Sequence, residues 1–357
     1  MCLQYSMWTL AATLSSQFQF LGGELYKEAR QSLDALEMEN HKMCIEHVQA
    51  WLLLSLYEFM ADLYHRGLVS VGRAFRLIHL MRLHEIDNKP LSRAQDDLIE
   101  IESSRRTFWV AYMIDRFTSA QDNLPLAINE KEASIIPSLW LSNTTQIRTR
   151  LPAPHCHFMS GRPYTMRFLS EVVSEIGSKQ SGNSATDNAM CPFAQSIIIA
   201  SVCGSTLSIK QQLVSQRAHQ GLISEFYLQY GALSTFLTAR IKVLSMQITS
   251  NSEHPDVLLL FSALSAYMTL LMLYEMAEAI PQGTDEAHTL LHGHEQRSLN
   301  TIQELDALIL LLNQVNSFQV SRAGCHTEVT INIALDASIH SDGTPLQCTI
   351  LFVAYGI

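Results

Sequence analysis

Apolar residues along most of this chain recur at three- and four-residue steps, the period of an α-helix with one buried face. From Tyr5 to Leu36 the pattern predicts a helix, a break at Gly22-Gly23, and a second helix through Tyr26, Ala29, Leu33 and Leu36, with Asp34 and Glu37 on its polar side. A third helix is predicted from about Ile45 to Tyr64. Val48, Leu52, Ser55, Leu56 and Phe59 lie on one of its faces, and the extra leucines beside them leave little of it for water. Gly67 interrupts the pattern. A fourth helix follows from Val69 to about Leu83, with Ala74, Leu77, Ile78 and Met81 on one side and Arg73, Arg76 and Arg82 on the other. Pro90 and Ser92 mark the next boundary, and Asp96, Asp97 and Glu100 crowd the first turns of the helix beyond it, where the helix dipole favours acids.

That next helix holds the most informative stretch, Glu102 to Arg116. Phe108, Trp109, Tyr112, Met113 and Phe117 make one broad apolar face, while Glu102 sits one turn from Arg105 and Arg106 and can pair with either. Arg105 is placed to lie over Trp109, one turn on. Arg116, beside Asp115, suits a helix end that anchors the loop after it. The pattern stops at Gln121-Asp-Asn-Leu-Pro125, and the segment to Pro163, with Pro137, Pro152 and Pro154, reads as an irregular connector.

The polar run Gly177 to Asn188 reads as a linker. Helices are expected again at about Pro192 to Arg217, Leu222 to Ser245, Asp256 to Ala279 and Ala287 to Gln314. From Cys325 onward Thr327, Val329, Ile331 and Ile333 alternate with other residues, and Thr349 to Tyr355 is β-branched and apolar, a strand-like signature. The expected fold is all-α, an array of stacked helical hairpins with a short strand-like C-terminal tail. Its segments are 1–175, a polar linker 176–190, a helical region 191–322 and the tail 323–357.

Composition narrows the function. The 357 residues are 47% hydrophobic, enough for a sizeable core. Lys and Arg number 24 against 34 acids, a net charge of −10 without any block of like charge, which argues against direct nucleic-acid binding. The seven cysteines are scattered and never spaced C-x-x-C, so neither a disulfide framework nor a zinc cluster can be read from them, and a reducing compartment fits. Cys2 to Leu14 lacks the charged start and cleavage pattern of a secretory signal. Val257 to Leu273 is about the minimum length of a membrane span, but it carries Ser262, Ser265, Tyr267 and Thr269 and is flanked by acids, so it reads as a buried helix. The expectation is a soluble intracellular protein with no membrane partner.

Asp96, Asp97 and Glu100 share one helix face and can hold Mg²⁺ against a diphosphate, as in all-α isoprenoid synthases. Those enzymes need a second metal-binding helix, and the later helices offer none, so this enzyme is the alternative reading and an acidic helix start the main one. His288, His292 and His294 have a spacing zinc can use, yet no Glu lies between the first pair as in H-E-x-x-H. His155-Cys156-His157 and Cys325-His326 have no partner pair nearby in sequence. There is no G-x-S-x-G elbow, Walker phosphate loop or G-x-G-x-x-G. No catalytic, cofactor-binding or metal-binding residue is assigned, and no cofactor is expected.

Four segments, in order, resemble the regulatory middle homology region of fungal binuclear zinc-cluster (Zn2Cys6) transcription factors. His47-Val-Gln-Ala-Trp-Leu-Leu-Leu54 is similar to that family's leucine-rich helix, and Gly72 to His84 is similar to the helix after it. Glu102, Arg105, Arg106, Phe108, Trp109, Asp115 and Arg116 match its signature of an acid, paired arginines, an aromatic pair and a terminal Asp-Arg. Asn123-Leu-Pro125 stands where the family has Gly-Arg-Pro. Arg150-Leu-Pro-Ala-Pro154, with Phe158 and Gly161, looks like a variant found among regulators of secondary-metabolite gene clusters.

The resemblance implies a helical, nuclear, non-enzymatic regulator of transcription, acting through intramolecular inhibition, a small-molecule effector or protein partners. The family's six-cysteine DNA-binding module is absent from this chain, so direct DNA contact by it is not expected. Either the chain is a shortened or divergent member acting through partners, or its start and strand-like tail come from an incorrectly assembled coding sequence.

Overall fold

The computed structural model describes residues 1–15, 17–38, 42–88, 95–128, 147–178, 190–215, 220–250, 256–279 and 294–323. Eleven α-helices and no strand occur among them, as the 3.6-residue period requires. They are α1 (Cys2–Thr13), α2 (Gly22–Met38), α3 (Ile45–Met60), α4 (Tyr64–Leu80), α5 (Gln95–Asp122), α6 (His155–Ser160), α7 (Leu169–Ser178), α8 (Pro192–Ser215), α9 (Gln220–Ser250), α10 (Val257–Glu278) and α11 (His294–Ala323). The strand-like tail lies outside the described residues, apart from Ala323, which ends α11. The predicted linker 176–190 is described only at Ile176, Gly177 and Ser178, which close α7, and at Met190.

The chain forms two units. One comprises Met1–Asp115, Ile147–Phe168 and Asn316–Ile357, the other Arg116–Gln146 and Leu169–Val315.

In the first unit α3 packs on α1, α2 and α4. Val48, Ala50, Trp51, Leu52, Leu53, Leu54, Leu56 and Phe59 of α3 are all buried, so this helix has almost no solvated face. A polar cluster pins α2 and α4 to it. Glu58, fully buried, accepts from the Tyr26 hydroxyl at 2.6 Å and from Arg30 at 2.5 Å, and Arg30 also donates to Ser70 of α4 at 2.8 Å. Burial and the Glu58 carboxylate push the Tyr26 hydroxyl above its ordinary pKa.

The α3–α4 connection departs from the sequence reading. The third helix ends at Met60 and the fourth begins at Tyr64, with Asp62 at φ 58° between them. The Leu63 N–H donates back to the Glu58 carbonyl at 2.8 Å, the long bond of a helix-ending turn whose left-handed residue is Asp62. Gly67 is therefore no interruption. It lies inside α4, where a Cβ would come within 2.6 Å of the Phe59 ring, so glycine allows the two helices to approach.

The second unit is built on α8, α9 and α10. In α9, Phe226, Tyr230, Leu233, Leu237, Ile241, Leu244 and Ile248 are buried at three- and four-residue steps, the seam of a helix packed along one side. Helices α8 and α10 are long and apolar enough to cross a membrane, but 78% and 72% of those stretches are buried within the protein. Their hydroxyls are satisfied locally: Ser262 donates to the Leu258 carbonyl at 2.7 Å, Thr269 to Ser265 at 2.7 Å and Thr206 to Val202 at 2.9 Å. The Ser196 and Ser262 hydroxyls also meet at 2.8 Å between α8 and α10. In α11, Thr301, Leu305 and Ile309 are buried, and Glu304 accepts from the Tyr267 hydroxyl of α10 at 3.1 Å.

Candidate functional site

The start of α5 meets the extended segment 147–154 in the first unit, and here the sequence-predicted residues converge. Thr107, Phe108, Trp109, Val110, Ala111, Tyr112, Met113, Ile114 and Asp115 are all buried. The single apolar face expected of this helix is in fact burial on every side. Gln49 of α3 donates to Ser103 at 3.2 Å and Thr107 at 3.0 Å, fixing α5 against the central helix.

Two carboxylates and two guanidiniums form a buried node. Arg105 grips Asp87 with Nε on Oδ2 at 3.0 Å and a second nitrogen on Oδ1, and reaches Glu102 at 3.2 Å. The Arg106 Nε lies 3.4 Å from the Glu102 carboxylate, and its Nη2 donates to the Ala153 carbonyl at 2.8 Å. Glu102 in turn accepts the Ala153 N–H at 2.8 Å, and Asp87 accepts the Arg150 N–H at 2.8 Å. The four charges sum to zero, and each is hydrogen-bonded, which makes their burial tolerable. Burial raises the Glu102 carboxyl above its ordinary pKa, against the pull of the Ala153 N–H and both arginines. Burial disfavours the Arg105 charge, but Asp87 and Glu102 outweigh it and leave the guanidinium above its ordinary value.

The 147–154 segment is tied down along its length. Thr149 donates to the Leu83 carbonyl at 2.6 Å, the Asp87 N–H to the Arg148 carbonyl at 3.0 Å, and the Leu151 N–H to the Arg167 carbonyl at 3.0 Å. The Trp109 indole donates to the Arg150 carbonyl at 2.7 Å. Arg106 lies over the Phe158 ring at 4.6 Å and Arg150 over Phe168 at 4.4 Å. The irregular connector predicted up to Pro163 thus contains a short helix, α6, closed by Gly161 at φ 59°. Arg105 turns to Asp87 and Glu102 rather than across Trp109. Asp87 is the residue that sequence reasoning missed, because nothing local marks an acid whose partners lie 18 and 63 residues away.

Asp115 and Arg116 straddle the boundary between the units. Arg116, fully buried, donates to the Ile128 carbonyl at 3.0 Å within the second unit, although α5 itself continues to Asp122. Asn123 has φ 53°, and the Leu124 N–H returns to the Ser119 carbonyl at 2.9 Å. Asparagine tolerates this left-handed turn, which closes α5. Gln211 of α8 donates to the Leu124 carbonyl at 2.8 Å, and Pro125 is exposed beside it.

The metal readings gain nothing. No group of three or more His, Cys, Asp or Glu side chains that could hold a metal ion occurs among the described residues. Glu100 is exposed, whereas the side chains of Asp96 and Asp97, residues 288 and 292 and the Cys325-His326 pair lie outside the described set. His157 stacks on Tyr164 with centroids 4.4 Å apart.

The first unit is thus an α-helical array closed by a buried ion-pair node, with a small cleft beside it. The chain belongs to the family described as the fungal specific transcription factor domain, whose profile matches residues 1–253. It is 38% identical over 328 residues to the pigment biosynthesis transcriptional activator pigB of Monascus ruber, covering 89% of this chain and 55% of that protein. It is 33% identical over 332 residues to the citrinin biosynthesis transcriptional activator mrl3 of the same organism, covering 91% and 59%. It is 32% identical over 326 residues to the azaphilone cluster-specific transcription factor azaR of Aspergillus niger, covering 89% and 65%. The chain thus spans a little over half the length of these curated relatives. No solved structure matches it.

Proposed function

We propose that this chain is the regulatory helical region of a nuclear transcription factor that controls a secondary-metabolite biosynthetic gene cluster, acting without catalysis. The observation that carries this reading is the joining of Glu102, Arg106 and Trp109 directly, and of Arg105 through Asp87, to the Arg150–Pro154 segment. The first part of the family signature, Glu102 to Trp109, and the Arg150–Pro154 variant are thus parts of one folded unit. The activities named for the relatives, pigment, citrinin and azaphilone biosynthesis, point the same way.

The cleft beside the node holds about 60 Å³. Sites for drug-sized ligands run to several hundred Å³. Regulation through that cleft therefore suits a protein contact better than a bulky effector. Deleting the gene and profiling transcripts under producing conditions tests the reading. Loss of expression of a contiguous set of biosynthetic genes is expected, and unchanged expression of every such set would overturn it.

A further inference from the structure

In a chain with ten more acids than bases, the segment 147–170 carries Arg148, Arg150, Arg162, Arg167, His155 and His157 and no acid at all. Of these, Arg150, His157 and Arg162 line the cleft between the first turns of α5 and the 161–165 loop. Leu98, Ile99, Phe158, Pro163 and Tyr164 give the cleft apolar walls, and Glu102, Arg105 and Arg150 lie at its charged end. Ile99 and Tyr164 are 40% and 42% exposed, large for apolar side chains that line one concavity.

The charges at the cleft are unequally committed. Glu102 and Arg105 are satisfied within the node, and the Arg150 guanidinium donates to the Met166 carbonyl at 2.6 Å while stacking on Phe168. Arg162 stands exposed on the rim. The ring of His157 lines the cleft, and its Nδ1 is buried without a hydrogen-bond partner. A buried polar atom left this way is costly unless an occupant satisfies it. The exposed Glu100 of α5 is not one of the residues lining the cleft, which leaves Arg162 as the uncommitted charge on its rim.

We propose that this cleft docks an acidic peptide segment of a protein partner, seating one aliphatic or aromatic side chain between Ile99, Phe158 and Tyr164 and setting its carboxylates along the Arg162 edge. The volume fits a single anchor side chain, and the charge complements an acidic ligand and rejects a basic one. This inference rests on the regulatory reading above, since it names the kind of partner that such a region would engage.

The test is fluorescence anisotropy on the full chain, with a labelled twelve-residue peptide of Asp and Glu interspersed with Leu and Phe. Controls are the same peptide with Lys at every acidic position and a single-stranded DNA of matched charge. Saturable binding is expected that weakens with salt, falls at least tenfold in Arg162→Glu and again in Tyr164→Ala, and is absent for the Lys peptide. Both substituted side chains are exposed, and circular dichroism checks that each variant keeps its helices. Equal affinity for Arg162→Glu, binding of the Lys peptide, or binding of the DNA as tightly as the acidic peptide would each overturn the proposal. The transcript response to gene deletion is read separately, so a failed cleft and a failed regulatory assignment give different results.

Discussion

The indole Nε1 of Trp109 donates to the backbone carbonyl of Arg150 at 2.7 Å, joining the middle of α5 to a segment 41 residues further along the chain. Trp109 is fully buried, its ring 5.0 Å from Phe108 and 5.1 Å from Tyr112 in edge-to-face packing. Trp109→Ala is therefore expected to destabilise the first unit by about 3–5 kcal/mol, the range for emptying a large aromatic site. Trp109→Phe removes the donor but fills most of the space, and should cost about 1–3 kcal/mol through the unsatisfied carbonyl. Urea unfolding monitored by circular dichroism distinguishes them. A loss below about 1 kcal/mol for the alanine variant would show that α5 is peripheral.

Arg105 bridges Asp87 and Glu102 in a setting where each side chain is at most 8% exposed. Arg105→Ala strands two buried carboxylates and should cost about 3–5 kcal/mol. Arg105→Lys keeps the charge but cannot reproduce the two-nitrogen grip on Asp87, so an intermediate loss is expected. Because Asp87 also holds the Arg150 N–H, both variants should hasten limited proteolysis within residues 147–168. Unchanged cleavage would mean that this segment is held by its other contacts alone.

Gly67→Ala places a methyl group 2.6 Å from Phe59, a ring that is itself 4% exposed and has little room to withdraw. The gain in helix propensity, about 1 kcal/mol, is opposed by overpacking of about 1–3 kcal/mol. Net destabilisation is expected, and pairing the change with Phe59→Leu should relieve it. A thermal midpoint that rises in the single variant would show that α3 and α4 can separate without penalty.

Burial, with Tyr274 and Glu278 nearby, pushes the Tyr230 hydroxyl up to about 12. Burial and Glu304 do the same for Tyr267, also to about 12. Unfolded tyrosine ionises near about 10, so the folded state holds these two protons longer. The stability they contribute is complete below about pH 10 and is lost as pH rises toward 12, by up to roughly 2–3 kcal/mol for each tyrosine. Equilibrium unfolding at stepped pH, followed alongside tyrosinate absorbance, should show the second unit weakening in that window. Tyr267→Phe should flatten the slope there. An identical slope in that variant would place the alkaline sensitivity elsewhere.

How far each feature was legible depended on the distance over which it is determined. The periodicity placed α2, α3, α8 and α10 within a few residues, because a helix records its buried face in neighbours three and four apart. It misjudged Gly67, because the ring that requires a glycine belongs to the preceding helix. It left α6 inside a connector, because a six-residue helix between prolines has no room to show a period. The signature residues from Glu102 to Arg116 could be picked out in sequence, but their bonding could not.

By itself the sequence determined that the protein is helical, that α5 is its most informative element, and that it resembles the family to which it belongs. Only the tertiary structure decided that Arg105 binds Asp87, that Glu102 caps the Ala153 N–H, and that Trp109 holds Arg150. Helix periodicity is a local property of the chain. A buried charge instead takes whichever partner folding brings within reach, and here those partners lie as far as 63 residues away.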